Sequence, residues 1–187
     1  GTYTAADGDP DGDRWLPNEC DARIRNTWFW RTDNLNTLKN VEQLMEMYLR
    51  SVGHGAVLLL NNTPDPTGLI PEPDAARSAE FGREIQRRFG TPVIDTAGSG
   101  TNVLMMLSAP RSIRATLIME DISRGERIRE YVVEGKVHGA WKPLASGTAV
   151  GHKKIDVFAP VEVTELRLRI PSAVGKPIIR KFAAFDD

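Results

Sequence analysis

The sequence predicts two parts of different fold class, a parallel α/β part followed by an all-β part. In residues 1–92, β-prone stretches alternate with helical patterns, which is the order of a βαβα unit in a parallel sheet. After Pro92 the apolar period changes to two, and turns containing glycine separate many short strands, as in an antiparallel sandwich. We therefore expect an α/β part at 1–92 and a β-sandwich at 101–187, joined by a linker at 95–100, DTAGSG.

The composition is that of an ordinary globular chain. Of its 187 residues, 41% are hydrophobic and 26% are charged, and the formal net charge is -1. Nucleic acid and anionic membranes are therefore not expected partners, because a nearly neutral chain projects no long-range field. Cys20 is the single cysteine, so an intramolecular disulfide is excluded. No apolar run approaches the ~20 residues of a membrane-spanning helix, and we expect no cofactor.

The segment from Gly1 to Asp13 reads as an exposed loop. Asp7, Asp9 and Asp11 match the first half of a calcium-binding EF-hand loop. The position that needs a bidentate glutamate is Asn18, however, so the pattern fails where calcium affinity is decided. We therefore expect a turn here rather than a metal site.

The stretch from Arg14 to Arg31, RWLPNECDARIRNTWFWR, concentrates aromatic and charged side chains. These are Trp15, Glu19, Asp21, Arg23, Arg25, Trp28, Trp30 and Arg31. Indole faces beside charged hydrogen-bonding groups suit a sugar, because the apolar face of the ring stacks while its hydroxyls need polar partners. The alternative is a Trp-rich strand that fills a core.

Two carboxylates in this stretch are candidate sugar ligands. Glu19 and Asp21 are two residues apart, so in an extended chain both point to one face. The alternative is an ion pair with Arg23 or Arg25. Arg23 is itself a candidate guanidinium clamp on a sugar, although an exposed surface arginine would have the same pattern.

The aromatic residues at 27–31 predict a short strand. In that strand Trp28 and Trp30 would share one face, with one of them on a sugar and the other in the core. Trp15, in the preceding loop, is the better candidate for stacking on the substrate.

Two helices and a strand follow. Apolar residues at intervals of three and four predict a helix at Thr37–Ser51, with Asn36 as N-cap and Gly53 as its stop. Ala56–Leu60, AVLLL, is apolar at consecutive positions, which predicts a parallel strand covered on both faces. A second helix is predicted at Asp74–Phe89, ending at Gly90.

Seven short strands are predicted in the all-β part. They are Val103–Leu107, Arg114–Met119, Arg127–Val133, Ala140–Ala145, Ile155–Phe158, Glu162–Ile170 and Ile178–Phe185. Glu120, Asp121 and Arg127 are expected to form a turn network that positions strands. His138, Trp141 and His152 are compatible with a glycan contact, although a core position for Trp141 is the favoured interpretation.

Several segments carry a resemblance to one enzyme family. The segment Gly53–Asp74, GHGAVLLLNNTPDPTGLIPEPD, resembles the last barrel strand and following loop of α-L-fucosidases of glycoside hydrolase family 29, with its L-L-L-N and P-D-x-x-G-x-I patterns. The segment WLPNECDARIRNTWFW is similar to a W-x-P-x-E-x-D segment of the subgroup that cuts α-1,3 and α-1,4 linkages. The segments LIMEDISRGERIREYVVEG and WKPLASGTAVGHKKID resemble the family's galactose-binding-like sandwich. Thr63 departs from the family pattern, which usually has an apolar residue or glycine there.

The resemblance implies a fold and an activity. The fold would be the last strands and helices of a (β/α)8 barrel, followed by an antiparallel galactose-binding-like β-sandwich. The activity would be retaining hydrolysis of terminal α-L-fucosyl linkages of oligosaccharides and glycoconjugates. The family's location implies a periplasmic or extracellular protein. The alternative is a non-catalytic carbohydrate-binding module or adaptor.

The resemblance also implies which residues take part. The catalytic pair, an Asp nucleophile and a Glu acid/base, is expected upstream of Gly1, so the chain alone should be inactive; Glu19 is a minor candidate. The residues that the resemblance implies for a substrate-binding wall are Trp15, Glu19, Asp21, Trp28 and Asn61, and Arg23 joins them as the candidate guanidinium clamp. A fucosylated oligosaccharide is the expected partner, with a glycan contact by the sandwich as a further one.

Overall fold

A computed structural model describes residues 16–186 of the chain. Within these residues the chain divides into two compact units, one formed by 16–52 and 56–90 and the other by 53–55 and 91–186. No helix in residues 16–186 is long and apolar enough to cross a membrane.

The first unit is built on two parallel strands. Strand β1 (Glu19–Arg23) pairs in parallel with β2 (Val57–Asn61), and helix α1 (Val41–Ser51) connects them. Helix α2 (Glu72–Phe89) follows β2. The predicted strand–helix–strand–helix order is therefore confirmed, although the strand at 27–31 is wrong. Those residues form bends, because the chain pairs with β2 earlier, over Glu19–Arg23.

Helix boundaries follow local hydrogen bonding. A short 3-10 helix at Thr32–Thr37 precedes α1, so the predicted start at Thr37 is wrong. The N-cap is Asn40, whose side chain accepts a hydrogen bond from the amide of Gln43, while the Gln43 side chain accepts one from the amide of Asn40. The predicted end of α2 at Gly90 is confirmed.

Only one face of the parallel pair is covered by helices. The apolar core of this unit consists of Ile24, Leu44, Met45 and Phe81, with Leu58 and Leu60 packed against it. On the opposite face, Val57 is 57% exposed and Leu59 is 54% exposed. The prediction that β2 is covered on both faces is therefore wrong for residues 16–186.

The second unit is a six-stranded antiparallel sheet with the order β3-β8-β4-β7-β5-β6. Its strands are β3 (Ile94–Ser99), β4 (Asn102–Glu120), β5 (Ile128–Val137), β6 (Ala140–Gly147), β7 (Lys154–Ala173) and β8 (Ile178–Phe185). The seven predicted strands are thus confirmed as β-structure, but four of them merge in pairs into β4 and β7. Register shifts between Met106 and Arg111, and between Ile113 and Ala115, interrupt the pairing of β4 with β7.

The predicted linker at 95–100 is wrong. Residues 94–99 form β3, which pairs with β8 as an edge strand. This strand lacks an apolar pattern in the sequence because most of its residues are small or polar. Nevertheless, Ile94 and the preceding Val93 pack against the core of the sheet. The second unit therefore begins before residue 101.

Apolar side chains from the long strands form the core of the second unit, and Tyr131 is its largest polar contributor. The Tyr131 hydroxyl donates a 2.8 Å hydrogen bond to Asp156, and burial raises the pKa of Tyr131. The core interpretation of Trp141 is wrong. Trp141 is half-buried, and its ring contacts the guanidinium of Arg167 at 4.2 Å and the ammonium of Lys136 at 5.7 Å.

The predicted turn network at the end of β4 is confirmed. The Arg127 amide donates to the Glu120 carboxylate at 2.7 Å, the Ser123 amide donates to Asp121, and the Arg127 guanidinium donates to the carbonyl of Lys176. Glu120 is 1% exposed, and its Oε2 has no hydrogen-bond partner among residues 16–186. Burial is the main cause that raises the pKa of Glu120, and the nearby Glu126 carboxylate adds to it.

Glu120→Gln should stabilise the second unit at neutral and alkaline pH. The pKa of Glu120 in the folded chain is above its ordinary value of 4.5, so the folded state binds the proton more tightly than the unfolded state does. The resulting stabilisation of the folded state is fully present at pH values below 4.5. It is lost as pH rises through the raised pKa. Glutamine keeps the acceptor for Arg127 and does not ionise, so the gain at pH 8 should be roughly 1–3 kcal/mol in the free energy of unfolding. It should vanish near pH 4.

Urea unfolding at pH 4 and pH 8 measures this difference, with the exposed Glu130→Gln as the matched control. An equal effect of Glu120→Gln at both pH values would contradict an ionisation effect.

Residues 91–187 should fold alone, and residues 101–187 should be less stable. The shorter segment lacks β3, so it leaves the edge of β8 unpaired and removes Val93 and Ile94 from the core. We expect cooperative melting of the longer segment and a lower melting temperature with aggregation for the shorter one. Equal melting temperatures would show that β3 is dispensable.

Candidate functional site

The candidate site lies at the carboxyl ends of β1 and β2. Because these strands are parallel, their last residues, Arg23 and Asn61, lie beside each other as register partners. The segments that leave the two strands therefore start at the same edge of the sheet. In α/β proteins this edge is where binding groups collect.

An aromatic loop, residues 26–31, leaves β1 at this edge. Phe29 is 80% exposed and Trp28 is 45% exposed, while Trp30 is half-buried. Trp28 and Phe29 therefore present apolar surface at the carboxyl ends of the strands, which is the kind of surface that stacks on a sugar ring.

Polar side chains from β2 hold the aromatic loop by its backbone. The Asn61 side-chain amide donates a 3.0 Å hydrogen bond to the carbonyl oxygen of Trp28, and the Thr63 hydroxyl donates to the same oxygen at 2.9 Å. Asn61 also donates to the Thr63 hydroxyl at 2.9 Å. These bonds set the distance between Trp28 and the end of β2.

Arg23 supports the ring of Trp28. Its guanidinium carbon lies 5.2 Å from the centre of the Trp28 ring, and its Nη1 donates a 2.9 Å hydrogen bond to the carbonyl of Asn26. Arg23 is therefore neither a free surface arginine nor a partner of the strand carboxylates in these contacts. It is half-buried and packs within the loop.

Lys39 binds three successive carbonyls at the end of β1. Its ammonium donates to the carbonyls of Arg23 at 2.6 Å and Arg25 at 2.9 Å, and its backbone amide donates to Ile24 at 2.9 Å. Burial and, to a smaller extent, the charge of Arg23 lower the pKa of Lys39. Lys39 thus holds the backbone of residues 23–25, which leads into the aromatic loop.

The base of the aromatic loop contains a buried ion pair. The Arg25 guanidinium is bound to the Asp74 carboxylate through Nε, at 3.1 and 2.9 Å, and through Nη2, at 2.5 Å. Its Nη1 donates to the carbonyls of Asn34 at 2.9 Å and Leu35 at 2.5 Å. The side chains of Arg25 and Asp74 are 9% and 1% exposed.

A small depression lies beside this ion pair. Its lining residues are Ile24, Arg25, Thr27, Phe29, Trp30, Asn34, Asn61, Thr63 and Asp74. The Asn34 amide donates to the Thr27 hydroxyl at 2.5 Å, while its carbonyl Oδ1 is buried without a hydrogen-bond partner among residues 16–186. In that same range, no group of three His, Cys, Asp or Glu side chains comes close enough to hold a metal ion.

The structure brings together three of the residues predicted for the substrate wall, and two others lie earlier on β1. Arg23, Trp28 and Asn61 meet at the carboxyl ends of the strands. Glu19 and Asp21 lie on β1 and not in a loop, and both are exposed on one side of it, as an extended chain requires. Arg25 pairs with Asp74 and not with either of them. Trp15 and the Asp7–Asp11 turn lie outside the described residues.

Sequence reasoning missed the residues that hold the site together. Asp74 and Lys39 carry no sequence signal of a role in the site, Thr63 stands out only as a departure from the pattern of the resembling family, and Arg25 was considered only as a partner of nearby carboxylates. Arg25 and Asp74 are 49 residues apart, so no local spacing links them. The one available signal was Thr63, a hydroxyl at a position that is usually apolar or glycine in the resembling family.

The fold and the exposed aromatic loop together indicate a class of protein. A parallel strand–helix unit with exposed aromatic rings at the carboxyl ends of its strands, followed by an antiparallel β-sheet unit, is typical of a two-part α/β protein whose binding groups collect at the strand ends, as they do in barrel enzymes. The comparisons with known proteins name the family.

The family model described as α-L-fucosidase matches residues 3–88. A rice (Oryza sativa subsp. japonica) protein assigned as α-L-fucosidase 1 is 30% identical and aligns with 96% of this chain and 41% of its own length. α-L-Fucosidase 1 of Arabidopsis thaliana is 29% identical, over 97% of this chain and 43% of its own length. The chain thus spans about two fifths of the length of these curated relatives.

Solved structures agree with the sequence matches. A protein of Bacteroides thetaiotaomicron assigned as an α-L-fucosidase is 41% identical, with a TM-score of 0.94 over 96% of this chain and 42% of that one. A Ruminococcus gnavus fucosidase of glycoside hydrolase family 29, solved in complex with fucose, is 27% identical, with a TM-score of 0.86 over 95% of this chain and 42% of that one. The chain belongs to this α-L-fucosidase family and corresponds to its C-terminal portion.

Lys39→Met should loosen the aromatic loop without unfolding the rest of the chain. The substitution leaves two carbonyls of the β1 end without their charged donor, at a cost of roughly 1.5–3 kcal/mol of local stability. Amide hydrogen exchange of residues 26–31 should become about ten- to a hundred-fold faster, because each 1.4 kcal/mol is a factor of ten.

Mass spectrometry of peptides covering 26–31 reads this rate, with peptides of α2 as an internal reference. The exposed Lys142→Met is the matched control. Unchanged exchange in the loop would show that the ammonium of Lys39 does not hold it.

Proposed function

We propose that the longer enzyme to which this chain corresponds hydrolyses terminal α-L-fucosyl linkages of oligosaccharides and glycoconjugates with retention of configuration. In this proposal the chain contributes a substrate-binding wall. One observation carries the proposal: Trp28, Arg23 and Asn61 converge at the carboxyl ends of adjacent parallel strands. A non-catalytic module, the alternative, has no evident use for such an arrangement in front of its β-domain.

Residues 1–92 would then supply the last strands and helices of a (β/α)8 barrel. The exposure of Val57 and Leu59 supports this, because the strand face opposite the helices is the face that lines a barrel interior. Residues 101–187, extended by β3, would form the galactose-binding-like β-sandwich. The antiparallel sheet with two long, interrupted strands is consistent with such a domain.

The substrate class follows from the chemistry of the wall. Exposed Trp28 and Phe29 offer apolar surface to a pyranose face, and the amide of Asn61 and the guanidinium of Arg23 lie beside them. A fucosylated glycan fits these groups, and the bound fucose of the Ruminococcus gnavus fucosidase supports this choice. A glycan contact by the β-domain would fall on Trp141, whose ring is partly covered by Arg167.

The catalytic carboxyls are proposed to belong to parts of the longer enzyme outside this chain. Retaining glycosidases need two carboxyl groups about 5 Å apart. Glu19 lies four residues before Arg23 on β1, which is about 13 Å along an extended strand, away from the candidate site. Asp21 is nearer to Arg23 on the same strand, and its place in the substrate-binding wall stays a prediction.

The longer enzyme should release fucose from an aryl α-L-fucoside with the α-anomer as first product. Retention gives this outcome because two inversions at the anomeric carbon restore its configuration. Proton NMR during the first minutes of hydrolysis distinguishes the anomers before mutarotation. Residues 1–187 alone should show no turnover, which serves as the control. First release of the β-anomer, or turnover by the chain alone, would refute the proposal as stated.

A further inference from the structure

The buried ion pair between Arg25 and Asp74 lies at the base of the aromatic loop, and a contribution to folding stability alone does not explain its presence there. We propose that Arg25, held by Asp74, is a positioning residue that fixes the aromatic loop against β2 and thereby sets how tightly the site binds an α-L-fucoside. The part that concerns the ligand rests on the function proposed above. The part that concerns the loop stands on the geometry alone.

One guanidinium closes the aromatic loop at its base. Arg25 directly precedes residues 26–31, and its Nη1 donates to the carbonyls of Asn34 and Leu35, just beyond the end of that loop. The two ends of the loop are therefore bound to the same planar group. The remaining donors, Nε and Nη2, go to Asp74, so the orientation of the fork is fixed as well.

Asp74 anchors this fork to a rigid element. It lies in the first turn of α2, where a negative charge is favoured by the unsatisfied amides of the helix start. Its amide donates to the carbonyl of Pro71 at 2.9 Å, and its carboxylate is 1% exposed. The base of the loop is thus attached to helix α2 and not to an exposed side chain.

The tip of the loop has a separate anchor. Asn61 and Thr63 both donate to the carbonyl of Trp28, which joins the tip to the end of β2. With the base fixed to α2 and the tip fixed to β2, the exposed rings of Trp28 and Phe29 lie between two fixed points. A shift at the base would change the spacing between these rings and the end of β2.

Stability alone is a poor reason for this ion pair. Two buried charges lose their hydration, and well-packed apolar side chains of similar size stabilise as well or better. Apolar side chains, however, cannot donate to the Asn34 and Leu35 carbonyls. Lysine cannot replace arginine here either, because a single ammonium cannot reach a carboxylate and two carbonyls in fork geometry.

Three variants of the longer enzyme separate positioning from folding. Asp74→Asn and Arg25→Lys each keep one partner of the ion pair, and Arg25→Met with Asp74→Leu replaces both by apolar side chains. The control is Arg50→Met, which removes an exposed ion pair with Glu46 on α1. Melting temperature, kcat, KM for an aryl α-L-fucoside and hydrogen exchange at 26–31 are measured for each variant.

The double variant decides the proposal. Its melting temperature should lie above those of the two single variants, because no unpaired buried charge remains, although the Asn34 and Leu35 carbonyls lose their donor. KM should stay about ten- to a hundred-fold higher with kcat changed less than about threefold, as for lost binding common to ground and transition states. Exchange at 26–31 should be faster in all three variants and unchanged in the control. Arg25→Lys should also raise KM, because a single ammonium does not reproduce the fork geometry of the guanidinium.

A double variant with wild-type KM and wild-type exchange would overturn the proposal, because the ion pair would then serve folding only. Faster exchange with unchanged KM would overturn its ligand part. If the wild-type enzyme does not hydrolyse α-L-fucosides, the function proposed above fails. Hydrogen exchange then still decides whether Arg25 positions the loop.

Discussion

The candidate site depends on how one guanidinium group is shared among three segments of chain. Arg25 follows β1, and its side chain binds Asp74 at the start of α2 and the backbone of the 3-10 helix at Thr32–Thr37. Lys39 binds the carbonyls on either side of Ile24, so the same turn is held by a second cation. Two buried or half-buried cations near each other are unfavourable unless they find acceptors. Here backbone carbonyls and one carboxylate supply them.

The parts of the fold that local patterns control were predictable. Apolar spacing of three and four residues predicted both helices, and the glycine at the end of α2 was placed correctly because a helix stop is a local event. The failures involve information from elsewhere in the chain. Residues 95–100 resemble a linker, yet residues 94–99 form a strand because β8 offers an unpaired edge. Residues 27–31 have β propensity, yet they bend because pairing with β2 is already complete at Arg23.

The site shows the same division between local and distant information. Trp28, Arg23 and Asn61 were predicted as site residues from their chemical type and motif, and the structure brings them to one edge of the sheet. Their contact with a sugar stays a prediction. The groups that hold them there act across 33 to 49 residues, from Asn61 to Trp28 and from Arg25 to Asp74. A single sequence contains no periodicity that connects such positions, so their pairing required the fold.

The two anchors of the aromatic loop differ in a way that matters for binding. The tip is held by neutral hydrogen bonds from Asn61 and Thr63 to one carbonyl, and each such bond contributes only about 1 kcal/mol. The base is held by charge-assisted bonds in a buried environment, which are stronger and directional. When the base of a loop is held more strongly than its tip, the side chains at the tip can move by small amounts while the base stays in place. In the proposed function, that arrangement would let Trp28 and Phe29 adapt to a sugar face without losing their place relative to the end of β2, because the ion pair opposes movement of the whole loop.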